Sequence, residues 1–413
     1  RMQAAARPNT ALMTEATYRQ VSAVFDCADL GSIPVKGKAE PVHVYELLRP
    51  KSHPERQRGL QGSGGHLVGR EDELSALLKA GNAVLAGLGR AALITGEPGI
   101  GKSRLVAEWK ELLAAGTGSA SGLRWAEGRC LSYGQGMAYH LLVDLLRSLV
   151  GIAPAAGDED ARAALAALCE EQFGSQAGEV FPYLAHLLAL PLEGEASERV
   201  RLLDPQSLQA RYLDSLSRLL RSFSVHGPLG IVLDDIHWAD PSSVDLLIRL
   251  LPLTAEAPLL FCLITRPERD APGWKLVEAA REQLGAGLVE LELPPLTGTE
   301  SQALASGLLE NADLPGPVCD LILGKAEGNP LFVEEVIRML IDRGFIRREG
   351  PAWALAREVE SVDIPDNLQS LLLARIDHLP EEVKRTLRVA AVIGRQFSVR
   401  VLREVLRNQE VPA

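Results

Sequence analysis

At 413 residues the chain is too long for one ordinary hydrophobic core, and a length of this order corresponds to about two to four domains. A content of 46% apolar and 23% charged residues excludes a disordered chain, and a net charge of -11 argues against a large electropositive surface and hence against a nucleic-acid partner. The cysteines, Cys27, Cys130, Cys169, Cys262 and Cys319, are odd in number, widely spaced and without a C-x-x-C pair, which predicts reduced thiols in a cytoplasmic protein rather than disulfides or a zinc site.

The first fifty residues carry a helical pattern from Ala11 to Val24 and then a strand-like alternation in Val42-His43-Val44-Tyr45-Glu46-Leu47. Such a unit is too small to stand alone comfortably. Residues 51–66 hold almost no large apolar side chain and end in Gln61-Gly62-Ser63-Gly64-Gly65, the composition of a flexible linker. The chain opens on Arg1, and its last helical pattern stops near Ala413, so the sequence reads as a piece of a longer protein. No segment has the length of a membrane helix or the pattern of a signal peptide; the apolar run Ala257 to Ile264 is strand length.

Past the linker, strands and helices alternate from Leu67 to about Leu293, the pattern of a parallel α/β sheet. The apolar run Ala91-Ala92-Leu93-Ile94-Thr95 predicts a buried strand, and Arg104 to Lys110 predicts an amphipathic helix. Between them stands Gly96-Glu97-Pro98-Gly99-Ile100-Gly101-Lys102-Ser103, with the spacing of a phosphate-binding loop. Its glycines let successive N–H groups turn toward phosphate oxygens, and the helix beginning there adds the positive end of its dipole. Lys102 is then the charge for the β and γ phosphates, and the Ser103 hydroxyl a ligand of the bridging Mg2+.

Ala138 to Val150 and Ala161 to Leu190 are helical and rich in Ala and Leu, a long helical insertion before the second predicted strand, Gly230-Ile231-Val232-Leu233. That strand ends in Asp234-Asp235. A carboxylate there can hold magnesium, and its neighbour can orient or deprotonate water, so Asp234 is assigned to the metal and Asp235 to the water. A turn and helix cap would use the same residues. Leu259 to Thr265 and Leu288 to Leu293 predict two further strands. From Thr299 the pattern is mostly helical, Gly350-Pro351 breaks it, and three short helices follow from Asp366.

Leu233-Asp234-Asp235-Ile236-His237-Trp238-Ala239-Asp240-Pro241 and Leu67-Val68-Gly69-Arg70-Glu71-Asp72-Glu73-Leu74 resemble the signal-transduction ATPases with numerous domains, the STAND branch of the AAA+ class. Gly128 to Gln135 and Ala326 to Phe332 resemble stretches of the same proteins, and the likeness runs from Leu67 to about Val411. It implies that Gly69 and Arg70 contact base and ribose, that Arg266 is a strand-end sensor of the γ phosphate, and that Pro330 packs on adenine. It also implies that the loop from Gly96 to Arg104 (Gly96, Glu97, Pro98, Gly99, Ile100, Gly101, Lys102, Ser103, Arg104) holds ATP or ADP with Mg2+. Lys102, Asp235 and Arg266 are the catalytic candidates; Ser103 and Asp234 are the metal candidates. A surface charge at Arg70, a solvated loop residue at Arg266 and a plain turn at 328–330 are the alternatives. His237 and Trp238 are read as packing residues.

The first fifty residues resemble the C-terminal end of a class III adenylate or guanylate cyclase, through Arg1 to Ala6, Thr14 to Tyr18 and Val35 to Leu47. The resemblance implies that Arg1 closes an Asn-x-x-x-Arg motif and that Lys36 touches polyphosphate. Most of that cyclase site would lie upstream, so this piece is not expected to make cyclic nucleotide.

The domain reading is 1–50 cyclase remnant with a short α+β fold, 51–66 linker, 67–296 P-loop ATPase core with parallel sheet and helical insertion, 297–360 helical lid, and 361–413 the start of a winged-helix-like domain. The function expected is a slowly hydrolysing regulatory ATPase, in which ATP holds the sheet domain and the helical domain together and hydrolysis releases them. ATP, the upstream cyclase, and a regulatory protein or second copy are the expected partners. A non-hydrolysing nucleotide-binding scaffold is the alternative. A DNA-binding regulator is another, but residues 361–413 carry eight Lys or Arg against seven Asp or Glu and form no basic stripe. Leu131 to Gln135 lies about a hundred residues before the acidic strand, too far for the signature of a transporter ATPase. No Asn-Lys-x-Asp guanine reader occurs, so adenine is favoured.

Overall fold

The computed structural model describes residues 10–14, 17–18, 25–33, 42–50, 67–116, 122–153, 156–309, 316–349, 352–355, 368–377, 379, 381–393 and 399–408. The linker at 51–66, Arg1 and Lys36 lie outside the described residues. Contacts divide the chain into two units, Arg1–Val68 with Leu296–Leu372, and Gly69–Pro295 with Leu373–Ala413.

The first unit opens with β1 (Ala11–Thr14), β2 (Phe25–Ile33) and β3 (Val42–Pro50), an antiparallel sheet in the order β1-β3-β2. The strand expected from Val42 is present and central. Of the helix expected from Ala11 to Val24, the first four residues are strand instead: Ala11 to Thr14 pair with Leu47 to Val44, and Met13 and Val44 are buried, while Thr17 and Tyr18 are helical and residues 15–16 and 19–24 lie outside the described residues. Four residues are too few to separate a period of 2 from one of 3.6, and an open edge of β3 decides for the ladder.

The second unit is built on α1 (Glu71–Leu85), β4 (Arg90–Thr95), α2 (Lys102–Gly116) and β5 (Arg124–Arg129). Five helices follow: α3 (His140–Val150), α4 (Asp158–Phe173), α5 (Ala177–Leu187), α6 (Gly194–Arg201) and α7 (Pro205–His226). The sheet then resumes with β6 (Leu229–Asp234), α8 (Pro241–Leu250), β7 (Leu259–Thr265), α9 (Trp274–Leu284) and β8 (Leu288–Glu292). The five strands are parallel in the order β5-β6-β7-β4-β8. This is an α/β fold of the P-loop kind with a helical insertion, as the sequence predicts.

The insertion follows β5 rather than β4, because β5 (Arg-Trp-Ala-Glu-Gly-Arg) is itself a strand of the sheet. An edge strand buries one face and tolerates polar residues on the other, so β5 lacks the apolar run that marks β4, β6 and β7. β7 is buried at all seven positions, between β6 and β4. One continuous core joins β6 and β7 to the insertion through Leu141, Leu145, Leu165, Leu184, Leu216 and Leu219.

In the first unit, α10 (Gly298–Leu308), α11 (Gly316–Ala326) and α12 (Pro330–Asp342) carry a second core around Val318, Ile322, Val333, Val336 and Leu340. The break expected at Gly350-Pro351 falls between β9 (Ile346–Glu349) and β10 (Ala352–Leu355), an antiparallel pair. Three helices follow as expected, α13 (Leu368–Asp377), α14 (Glu381–Ile393) and α15 (Val399–Asn408).

Candidate nucleotide site

Parallel pairing places the C-terminal ends of β4, β6 and β7 at one edge of the sheet. Leu233 pairs with Leu263 and Leu263 with Leu93, while Thr95 pairs with Thr265. Gly96 and Arg266 therefore leave neighbouring strands at the same level, and Asp234 and Asp235 continue the next strand over. An open α/β sheet binds ligands at this edge.

The loop between β4 and α2 turns at Gly99 (φ 81) and Gly101 (φ 101), left-handed conformations that a side chain would strain. Ile100 is buried and anchors the loop from below. Glu97 and Pro98 are exposed above it, and Ser103 and Arg104 are exposed on the first turn of α2. Arg104 makes an ion pair with Glu108 at 3.3 Å. Lys102 is buried, and its Nζ donates to the carbonyls of Gly96 (2.6 Å) and Glu97 (3.0 Å). Burial holds the Lys102 ammonium below its ordinary pKa; Asp235 opposes this, Arg266 adds to it, and Asp234 and Glu97 oppose it further. Four of the charges the sequence singles out are thus in electrical contact across the sheet edge.

Asp234 ends β6 level with Arg129 of β5, and its carbonyl accepts from the Cys130 N–H at 3.0 Å. Asp235 has left-handed backbone angles (φ 58, ψ 41), tolerated by Asp better than by most residues, and turns the chain into a short 3-10 segment, Ile236–Trp238. Arg266, one-third exposed, faces Glu268 at 3.6 Å. A hydroxyl at Ser103 and a carboxylate at Asp234 are hard oxygen donors, the kind that suits Mg2+.

The remaining candidates are placed less simply. Gly69 precedes α1, and Arg70, only 4% exposed, is no surface charge: its guanidinium bonds to the Pro294 carbonyl and to Glu73. Pro330 lies in the other unit at the first position of α12, where Asn329 caps the helix through the Leu331 and Phe332 N–H groups. That capping accounts for the Gly328-Asn329-Pro330 turn on structural grounds.

Two residues near the acids carry more than the sequence reading gives them. Asp240 is buried and caps two helices at once, accepting from Ser243 N (2.8 Å) at the start of α8 and from Tyr139 N (2.8 Å) and Leu141 N (3.4 Å) at the start of α3. The Asp240-Pro241 pair is a helix-start signal that was legible. His237 is 1% exposed, packed as the sequence reading has it, yet neither ring nitrogen has a hydrogen-bond partner among the described residues. Burial pushes its imidazole below the ordinary value, against Asp235, with Arg266 adding, Glu268 opposing and Lys102 adding.

Residues 66–264 match the family described as "AAA ATPase domain". That segment carries an AAA ATPase domain. An uncharacterized protein of Rhizobium meliloti (strain 1021) is 29% identical over 409 residues, which is 98% of this chain and 37% of that protein, so the chain spans little more than a third of its relative. Among solved structures, the Aeropyrum pernix ORC1 protein in complex with DNA has 19% identity and a TM-score of 0.42, over 84% of this chain and 80% of that one. A Signal Transduction ATPase with Numerous Domains with a tetratricopeptide repeat sensor, from Pyrococcus horikoshii, has 13% identity and a TM-score of 0.41, over 82% of this chain and 37% of that one. The AAA ATPase domain begins after the first fifty residues, and none of the proteins just named is described as a cyclase. No helix among the described residues is long and apolar enough to cross a membrane.

Proposed function

We propose that the AAA ATPase domain binds ATP with Mg2+, hydrolyses it slowly, and works as a nucleotide-dependent switch within a longer signalling protein. The observation that carries this reading is the electrical contact of Lys102 with Asp234, Asp235 and Arg266 beside a loop of phosphate-binding geometry. A nucleotide-binding scaffold has no need of a second acid.

In this reading the amides from Gly96 to Arg104 hold the phosphates, and Lys102 exchanges its two loop carbonyls for β and γ oxygens. Ser103 and Asp234 would hold Mg2+, which would supply positive charge to offset that of the phosphates. Asp235 accepts the proton of the water whose oxygen bonds to the γ phosphorus while the bond to the bridging oxygen breaks, leaving ADP and phosphate. Arg266 pairs with the γ phosphate when it is present and with Glu268 when it is gone, so that the loop after β7 reports nucleotide state. Gly69 and Arg70 border the nucleoside side. The likeness of the first fifty residues to a cyclase end supports a cyclase as the element regulated.

Nucleotide released from the purified protein and Mg2+-dependent phosphate release test the reading. Asp235→Asn is expected to retain ATP while losing turnover by about 100-fold or more. Equal turnover in Asp235→Asn and wild type would establish a scaffold instead.

A further inference from the structure

His237 sits in the turn that Asp235 begins, and its surroundings are unusual for a packing residue. Both ring nitrogens are sealed from solvent and unbonded among the described residues, a condition that buried polar groups in native proteins seldom keep without a use. The charges that act on the ring are Asp235, Arg266, Glu268 and Lys102, the groups of the hydrolytic site and the ion-pair partner of its arginine.

The walls around the ring are built closely. Gln135 donates through Nε2 to the His237 carbonyl at 3.3 Å and fixes the backbone of the turn. On the other side the segment after Arg266 closes in, and Gly273 comes so near that an added Cβ would stand 1.8 Å from the Ile236 carbonyl oxygen. A cleft of about 660 Å³ runs between these walls, lined by Gln135, His237 and residues 267–272. His237 thus stands two residues after the acid assigned to the water and lines one cleft with the loop that follows the arginine assigned to sensing the γ phosphate. An imidazole with one protonated nitrogen offers one donor and one acceptor, and the acceptor-only carboxylate of Asp235 is the complement to that donor.

We propose that His237 is a positioning residue for hydrolysis: in the ATP-bound site one ring nitrogen donates to the Asp235 carboxylate and fixes the direction in which that carboxylate meets the attacking water. The proposal rests on the hydrolytic reading given above. It assigns His237 no contact with substrate and no transfer of a proton. His237 lines one cleft with residues 267–272 of the loop that follows Arg266, so arrival of the γ phosphate at Arg266 and alignment of Asp235 are coupled through one side chain.

The test compares His237→Phe and His237→Gln in the whole chain, with phosphate release from Mg-ATP, ATP affinity and thermal midpoint measured for each. Phe keeps the packing and removes two buried unbonded atoms, so the midpoint stays level or rises; ATP affinity stays within about twofold and kcat falls about tenfold or more. Gln restores an N–H donor and recovers kcat to within about threefold of wild type. Added to Asp235→Asn, His237→Phe costs nothing further, since both act through one carboxylate. Wild-type kcat in His237→Phe, or in His237→Leu should the Phe variant not fold, would overturn the proposal while leaving hydrolysis intact. Gln as slow as Phe would overturn it too. Phosphate release that survives Lys102→Ala unchanged is a different failure, that of the hydrolytic reading itself, and the proposal falls with it.

Discussion

The Lys102 ammonium lies 2.6 Å from the carbonyl oxygen of Gly96, folded back onto the loop it is placed to serve. A second bond at 3.0 Å to the Glu97 carbonyl completes the clasp. The same side chain therefore holds the loop's shape and, by exchanging partners, can take a phosphate oxygen. Loss of a charged hydrogen bond to phosphate costs about 1.5–3 kcal/mol, so Lys102→Ala is expected to weaken ATP binding about 10- to 100-fold. Glu97 is exposed and its carbonyl can turn to water, but Gly96 is buried and its carbonyl loses a donor there, so the thermal midpoint should fall by about 2–4 °C for each kcal/mol that this costs. Titration calorimetry with ATP and a melting curve check both halves; unaltered affinity would remove Lys102 from the phosphate site.

Asp240 holds two helices by one carboxylate. Removing it leaves the Tyr139 and Ser243 N–H groups without their acceptor in a buried place. An N-cap is worth about 1 kcal/mol and an abandoned buried donor about 1–3 kcal/mol, so Asp240→Ala is expected to cost about 2–4 kcal/mol in urea unfolding. Asp240→Asn keeps one carbonyl oxygen and should cost less than half of that. If the two variants unfold alike, the carboxylate is not acting as a double cap.

These two sites differ in how far the sequence exposes them. The loop before Lys102 is legible because a buried central strand must be a continuous apolar run and a phosphate loop must place glycine and lysine at fixed offsets. Asp234 and Asp235 are legible for the same reason, since β6 is as apolar as β4. Strand β5 is not, because an edge strand needs only Ala126 and the small Gly128 facing inward. Helix α7 carries its own start signal at Asp204-Pro205, where Asp204 caps it through Gln206 and Ser207 just as Asp240 caps α8 before Pro241. The span from Ala161 to Leu190 reads as one helical stretch, but Gly174 divides it into α4 and α5. Burial of His237 follows from its neighbours in the sequence, whereas the placing of its backbone depends on Gln135, about a hundred residues earlier, and on the close approach of Gly273 to Ile236. Long-range accidents of packing of this kind have no local pattern.

Gly273 fixes how close the loop after β7 comes to the turn after Asp235. Its backbone is helical (φ -65), so alanine would be welcome there but for the Ile236 carbonyl 1.8 Å from the new Cβ. Overpacking against backbone costs about 1–3 kcal/mol, and Gly273→Ala is expected to lower stability by that order. It should also push the Arg266 and Asp235 segments apart and slow phosphate release more than it weakens ATP binding. Kinetics and calorimetry on one preparation separate the two effects. A stable Gly273→Ala protein with ordinary kcat would mean that the spacing of the two segments does not govern hydrolysis.

Alkaline pH should find a weakness at the centre of the sheet. Burial pushes the Cys262 thiol up to about 12 from an ordinary 9.0, with Lys110 opposing and Asp234 adding, and burial raises Cys169 to about 11. In the unfolded chain both thiols lose their protons near the ordinary value, so above it the unfolded state binds fewer protons than the folded one. Stability is therefore undiminished below that value and falls as pH rises toward the folded values, by about 1.4 kcal/mol per unit for each thiol. Tyr212, raised by burial to about 12 from 10.0, adds its own share in the upper part of the window. Cys262→Ala removes one of these slopes at the cost of a small cavity between β6 and β4. Urea unfolding at several pH values from 8 upward should show wild type ahead of Cys262→Ala at the low end, the gap closing as pH rises. Parallel pH curves would mean that Cys262 ionises as readily folded as unfolded, which a thiol sealed in the middle strand of five should not do.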